Sequence, residues 1–442
     1  MRQLSLFRRL APLIGCGLLP ISVTAQQPAA TRPDTGQSLT QTSVVGPLTL
    51  EDALRAAQAF NAQLPVAARG VDIARTVVRE SRANRYPNLA LATGVNAGGP
   101  IAYTQTQGAV QVVGSDTLFA GGRLRATIKV AKYRVEGAGA GFRIVQKDVD
   151  LAVRLRFSDL LRAESEIAFR QQGIERLTTY LTQVQQLRAA GQPVGGDVLT
   201  TQVRLGSEQA FFEDALRARD SARFQLNDLM GRTPTVPLTV VPLPNPPPPP
   251  PQEPVAAPWV AAPDVREAAA NTAANQAGIA IARSERRPQV LLSSSLGALP
   301  SFGQNVGTGP NSGAGFGGAV FFSVTLPFFD GGGYRARLDR AQLYAQQARD
   351  SEVVVRRQVR LSYQLASANL TSLYAQVQTW ARNVPVARDA YLQTESIYNG
   401  GATTALAVLD AYTYWINANQ LYADAVLRYR QAEANYLRWG TP

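Results

Sequence analysis

The 442-residue sequence contains no histidine and a single cysteine, Cys16. Without histidine there is no imidazole base, and one thiol cannot form an intrachain disulfide. Cys–His nucleophile pairs and nearly all zinc chemistry are excluded at the same time. A catalyst built only from carboxylates is conceivable, but no pair of acids is arranged for it, so the chain reads as a non-enzyme with no cofactor and no metal. Long apolar runs are missing too. Past residue 25 none reaches the roughly 18–20 residues of a membrane-spanning helix, so a mature chain that crosses a membrane must do so with strands closed into a barrel. Acids are the scarcer charge: the formal net charge is +12. The arginines are spread along the helical stretches rather than gathered in a block, which fits a solvated helix face and not a nucleic-acid partner.

What is present begins with an export signal. Residues 1–25 have a basic start through Arg9, an apolar run from Leu10 to Val23 and the small-residue site Val23-Thr24-Ala25 before Gln26, the layout of a cleaved signal peptide. A competing site, Leu13-Ile14-Gly15-Cys16, would make Cys16 the acylated first residue. Cleavage after Ala25 is preferred because Gly17 to Ile21 continue the apolar run past the cysteine. Residues 26–47 read as a disordered N-terminal segment.

The rest of the chain repeats itself. Leu118-Phe119-Ala120-Gly121-Gly122-Arg123 aligns with Phe328-Phe329-Asp330-Gly331-Gly332-Gly333, an offset of about 210 residues. At the same offset Gly191 pairs with Gly401, and Val198-Leu199 with Val408-Leu409. Val153, Leu160, Ile167, Ile174 and Leu181 recur every seventh residue, and so do Tyr363, Leu370, Val377, Val384 and Tyr391 at the shifted positions, the period of laterally packed coiled-coil helices. The spacing predicts two repeats, 48–231 and 264–440, joined by a proline-rich linker over 232–263 that carries the run Pro246 to Pro251. Such a run reads as an extended, semi-rigid connector.

Each repeat reads helix, strand, loop, strand, long helix, tight turn, helix. The first helix is predicted over Glu51 to Tyr86, capped by Thr49. Val320, Phe322, Val324 and Leu326 alternate with Phe321, Ser323 and Thr325, which predicts a strand with one wholly apolar face, lipid-facing if the strand belongs to a barrel. Four strands per chain are too few to close any such barrel; three copies supply twelve. The long helices, Arg123 to Ala190 and Gly333 to Asn399, span roughly 100 Å at 1.5 Å per residue. The shorter helices Glu51 to Tyr86 and Asp197 to Met230, stacked end to end, equal about one long helix, and those of the second repeat, near Asp264 to Arg287 and Ala407 to Trp439, fall somewhat short. Pro385 predicts a kink or wide turn in the second long helix. The fold class is therefore mostly α with a small antiparallel β part: a long coiled-coil helical barrel, plus four strands per chain contributing to a trimeric 12-stranded transmembrane β-barrel.

The double unit, the two glycine turns entering long helices, and the opening Leu48-Thr49-Leu50-Glu51-Asp52-Ala53-Leu54 together resemble the TolC-type outer membrane efflux family over about residues 48–440. That resemblance implies a homotrimer in the cell outer membrane that extends into the periplasm and docks with a periplasmic adaptor protein and an inner-membrane pump or ABC-type transporter. By motif position it also implies a periplasmic gate at Asp410, Asp197 and Tyr398, and adaptor-docking tips at Gly191, Gly195, Gly196, Gly400 and Gly401. Asp197, just after a glycine pair, also fits a plain helix cap. Departures from the pattern are Ala407 and Thr403, where an acid and a base are missing from the gate, and Ala120, which stands where the second repeat has Asp330. Three copies of Asp410 would leave one acidic ring that favours cations. The function read from all this is a passive exit duct of a tripartite efflux or type I secretion system; the alternative is a soluble periplasmic coiled-coil scaffold.

Overall fold

The structure, a computed structural model, describes residues 47–98, 105–191, 195–251, 257–305, 309–400 and 402–440. The expected signal peptide, Cys16, the segment up to residue 46 and Gly401 lie outside the described residues.

The chain order is α1 (Leu50–Phe60), α2 (Gln63–Ala83), β1 (Asn88–Gly98), β2 (Gln105–Ala120), α3 (Arg123–Ala189), α4 (Gly195–Leu229), a single 3-10 turn (Pro258–Ala261), α5 (Pro263–Ser284), β3 (Gln289–Asn305), β4 (Gly309–Thr325), α6 (Gly333–Asn399) and α7 (Ala405–Gly440). The helices α3 and α6 each hold 67 residues. They are entered through identical glycine pairs: Gly121 and Gly122 at φ +60° and +91°, Gly331 and Gly332 at +64° and +91°. Those left-handed conformations carry a steric penalty for any residue with a Cβ.

The first predicted helix is in fact two. Asn61 is buried in an extended conformation, its amide donating to the Leu229 carbonyl at 2.9 Å while its Oδ1 accepts the Gln63 N–H at 2.9 Å. Pro65 explains the break, because in a continuous helix its ring would clash with the Asn61 carbonyl, whereas in the first turn of α2 it is tolerated. The helix also ends at Ala83 rather than Tyr86, since the residue before Pro87 is driven out of the helical region, and α5 stops at Ser284 before Pro288 for the same reason. By contrast α6 runs as helix through Pro385. The proline leaves the Ala381 carbonyl without its intrahelical donor, and Ala381 is exposed, so water can serve it. At the start of α1, Thr49 Oγ1 accepts the Asp52 N–H at 3.1 Å, and the Thr49 hydroxyl holds the Asp52 carboxyl below its ordinary range.

Helices α5 and α7 pack against both long helices, while α1, α2 and α4 pack against α3. The end of α4 meets the α1–α2 corner through Asn61, and the end of α7 meets the start of α5 through Arg438 and Asp264. Long helices thus alternate with stacked shorter ones. The shortfall in the second stack is filled by the 3-10 turn, whose Trp259 ring lies 5.2 Å from Tyr363 of α6, itself 5.5 Å from Tyr436 of α7. Cores form where the seven-residue pattern predicts. Val153, Phe157, Leu160, Leu226 and Met230 bury under α1 in the first repeat, and Leu370, Val377, Ala425 and Tyr429 bury between α6 and α7 in the second. The proline-rich stretch lies along α7: the Tyr429 hydroxyl donates to the Pro248 carbonyl at 2.6 Å, Arg430 to the Pro244 carbonyl at 2.8 Å, and Tyr422 to Asn245 at 2.7 Å. Burial pushes the Tyr429 phenol up to about 12.

The four strands form one antiparallel sheet in the order β1-β2-β3-β4. Its central pairing, β2 with β3, joins the two halves of the chain from Gln105↔Gly303 to Ala120↔Gln289.

Candidate functional site

Residues directly opposite in an antiparallel sheet point to the same face, so the register sorts the side chains. One face collects Leu89 and Leu91 of β1, Val110 and Val112 of β2, Leu292 and Leu296 of β3, and Phe316, Val320, Phe322 and Val324 of β4. The other collects Ala90 and Ala92, Gln111 and Val113, Ser293 and Ser295, and Ala319, Phe321 and Ser323. The first face is mainly apolar, interrupted by Thr93, Asp116 and Ser294; the other is mainly small and polar but also carries Val113, Leu291 and Phe321. Val320, Phe322 and Val324 lie on the apolar face and are exposed. Leu326, predicted as the next member of that stripe, lies just beyond the strand, because β4 ends at Thr325 before Pro327. No other element packs on either face among the described residues, and the outer edges of β1 and β4 are unpaired.

At the opposite ends of the long helices, Gly191 turns at φ +86° after α3, and Gly195 and Gly196 open α4. Gly400 ends α6 in ordinary helical geometry at φ −80°, and Asp197 lies in the first turn of α4. Asp410, in the second turn of α7, is ion-paired with Arg204 of α4 at 3.3 Å, and the two side chains are 48% and 40% exposed. Tyr398 lines a separate cleft of about 220 Å³ between α3, α6 and α7, together with Arg176, Tyr391 and Tyr412. Asp410 lines an adjoining cleft of about 380 Å³ with Arg170, Arg204 and Glu208. Asp410 and Tyr398 thus line two neighbouring clefts that share Leu409 and Tyr412.

Asp410 terminates a ladder of polar contacts that the sequence did not predict, which joins α7 to the first repeat along its length. Glu208 of α4 pairs with Arg170 of α3 at 2.9 Å, Arg170 with Glu166 at 2.7 Å, and the Glu166 carboxylate accepts from Gln420 of α7 at 2.6 Å. Farther along, Arg162 meets Asp424 at 2.7 Å, Gln431 donates to Asp159 at 2.8 Å, and Arg438 meets Asp148 at 2.6 Å. Burial opposes the charge of Arg170, but its two carboxylate partners outweigh that and raise its pKa. Within the second repeat the rings of Tyr391 and Trp415 stack at 5.6 Å and 7° and Tyr412 meets both edge-on, while Arg176 of α3, in the first repeat, lies 4.8 Å from the Tyr412 centroid. Burial raises the phenol pKa of Tyr391 and of Tyr412. The spacings Glu166–Arg170 and Arg204–Glu208 were visible as helical i,i+4 pairs; their partners on other helices were not.

No group of residues able to hold a metal ion occurs among the described residues, and no helix there is long and apolar enough to cross a membrane.

The profile of the outer membrane efflux protein family matches residues 53–232 and 260–438. Among solved structures, the outer-membrane channel OprN is 23% identical with a TM-score of 0.76, covering 89% of this chain and 90% of its own. The open state of the MtrE outer membrane channel of Neisseria gonorrhoeae is 22% identical with a TM-score of 0.75, covering 89% of each chain. The outer membrane protein VceC of Vibrio cholerae is 17% identical with a TM-score of 0.74, covering 89% and 96%. At these identities the likeness is one of fold. No curated relative matches the chain.

Proposed function

The chain belongs to the outer membrane efflux protein family, and from that premise we propose that three copies close into the exit duct of a tripartite export system. The observation that carries this reading is the two-faced sheet with both edges open. A closed barrel satisfies every strand edge internally, turns the apolar face to lipid and the small polar face to water. Twelve strands from three chains do this; four do not. The helices carry a matching pair of open flanks. Val66 and Ile73 of α2 and Leu199 and Val203 of α4 are exposed on one side, and Leu343, Val354, Leu361 and Leu365 of α6 on the other, so that α6 of one copy packs on α2 and α4 of the next.

On this reading the repeats 48–231 and 264–440 are two quasi-equivalent wall segments, and 232–263 is the strap that holds them in order. No chemistry occurs on the chain: solutes pass down the lumen, driven by an inner-membrane transporter through a periplasmic adaptor. The turns at Gly191 to Gly196 and Gly400 to Gly401 are glycine-rich and uncharged, which suits end-on docking. Asp410, Asp197 and Tyr398 form the narrow end. Because Asp410 is paired with Arg204, the closed ring is less acidic than three bare carboxylates, and the pair acts as a latch. The aromatic contacts make α6–α7 one rigid hairpin, and it opens by sliding along the polar seam with α3. The half-exposed Arg204–Asp410 pair is worth no more than about 1 kcal/mol, so a docking partner can outbid it.

Planar-bilayer recording of the detergent-purified protein tests this. We expect a trimer by mass, a low open probability, and a rise in open probability in Asp410→Ala. A protein that is monodisperse and monomeric without detergent would sink the duct itself; unchanged gating in Asp410→Ala would sink only the latch.

A further inference from the structure

The four strands together carry one charged residue, Asp116. All four strand ends that connect to helices lie at the same edge of the sheet, since Gln289 pairs with both Ala120 and Thr325, and Asn88 pairs with Ser115. Charge appears abruptly past that edge and is almost all of one sign. Segments 82–87, 121–126, 283–288 and 326–337 contain nine arginines against two carboxylates, Glu285 and Asp330. Both carboxylates are taken by one residue, Arg337, at 2.5 and 3.0 Å. None of the other eight, Arg82, Arg85, Arg123, Arg125, Arg283, Arg286, Arg287 and Arg335, is within ion-pair distance of a carboxylate among the described residues, and all eight are exposed. The same band carries bare aromatics: Phe328 is 90% and Phe329 83% exposed, and Tyr86 is exposed too. Phe328, Phe329, Arg286, Tyr334 and Arg335 share a cleft of about 390 Å³.

We propose that this arginine and aromatic band is a binding belt for anionic phospholipid headgroups of the periplasmic leaflet. The inference rests on reading the strands as membrane-spanning. A sheet whose single charge is Asp116, then aromatic rings, then guanidinium groups without carboxylate partners is the order of media met when passing from acyl chains to headgroup phosphates. Guanidinium matches a phosphate with two parallel hydrogen bonds, and a carboxylate-poor belt leaves most of those donors available, with Arg287 giving one to the Gly121 carbonyl at 3.0 Å.

The test is lipid retention. Detergent-purified trimer is incubated with an equimolar mixture of phosphatidylglycerol and phosphatidylcholine, repurified, and its bound lipid is quantified. Wild type should retain phosphatidylglycerol at least about fivefold over phosphatidylcholine, since each cationic side chain near an anionic surface is worth roughly that factor, and the preference should fade at high salt. The quadruple variant Arg123→Gln, Arg125→Gln, Arg286→Gln, Arg335→Gln should fall to parity while remaining trimeric, and the matching Arg→Lys variant should keep most of the preference. Equal retention of both lipids by wild type, or a preference untouched by the glutamine substitutions, overturns the belt and leaves the barrel standing. Retention of neither lipid overturns the barrel reading with it. Displacement of phosphatidylglycerol by lipid A at equal concentration would assign the belt to the other leaflet and refute the proposal. If the glutamine variant does not assemble, the salt series on wild type decides: a preference that survives 1 M salt refutes it, and one that fades supports it.

Discussion

Arg438→Met should loosen the joint where α7 meets α5 and α3. The Arg438 side chain is 4% exposed; its Nε donates to Asp148 at 2.6 Å, its Nη1 and Nη2 to Asp264 at 3.1 and 3.3 Å, and its guanidinium lies 4.4 Å from the Trp439 ring centroid. Burial works against its charge, but the two carboxylates more than compensate and its pKa is raised. Methionine fills similar space without charge. Asp148, 55% exposed, is rehydrated at little cost. Asp264, 20% exposed, loses a two-point partner in a poorly hydrated place, and breaking such a pair costs about 3 kcal/mol, the lower end of the range for buried pairs. That converts to roughly a hundredfold faster amide exchange at the end of α7 and the start of α5, measurable by hydrogen–deuterium exchange in detergent. Asp264→Asn added to Arg438→Met should recover half or more of the lost protection, because the orphaned charge is then gone. Protection unchanged within threefold, or a double variant as loose as the single, would refute the reasoning. Lys147, whose ammonium is held low first by burial and then by Arg438, should titrate higher in the variant.

The Glu164 carboxyl is pushed up by burial, an effect that Arg219 only partly offsets. A raised acid pKa means that the folded state holds the proton more tightly, so its contribution to stability is fully present below the ordinary 4.5 and declines as pH rises through the shifted value. Glu164→Gln should therefore raise the melting temperature at pH 7 and leave it unchanged at pH 4. Phe316→Arg, in the middle of β4 on the apolar face, should cost about 2–4 kcal/mol and abolish barrel assembly in folding assays, while Gln111→Arg on the opposite face should assemble and change conductance. Gly121→Ala should destabilise more than Gly331→Ala in thermal melts. Both positions have left-handed φ, but a Cβ at Gly121 would lie 2.5 Å from Arg287 Cβ and 2.9 Å from the Ser284 carbonyl, whereas Gly331 opens to free space.

The parts of this fold that read from the sequence are those fixed by short-range rules. The glycine pairs announced turns into long helices, the seven-residue pattern announced α3 and α6, and alternation around Phe322 announced a two-faced strand. The break at Asn61 was written locally too, in Pro65 four residues on, but a strong helical pattern across it hid the signal. The Trp259 turn was not legible, because a single proline-flanked turn gains its position only from Tyr363, about a hundred residues away. Nor was the setting of Asp410, since motif position located the acid while Arg204, on another repeat, was supplied by packing.

The pairing of β2 with β3 carries a kinetic consequence. The two outer hairpins are local, but Ala120 meets Gln289 only after about 170 residues of intervening chain have been synthesised and folded, and pairings of such long range form slowly. Until then the nascent protein has four bare strand edges instead of two, each a template for misassociation with another copy. Even the finished single chain keeps two edges and an uncovered apolar face. A lone subunit is therefore an aggregation hazard in water, and holdase chaperones that shield strands should determine its yield during the crossing to its membrane.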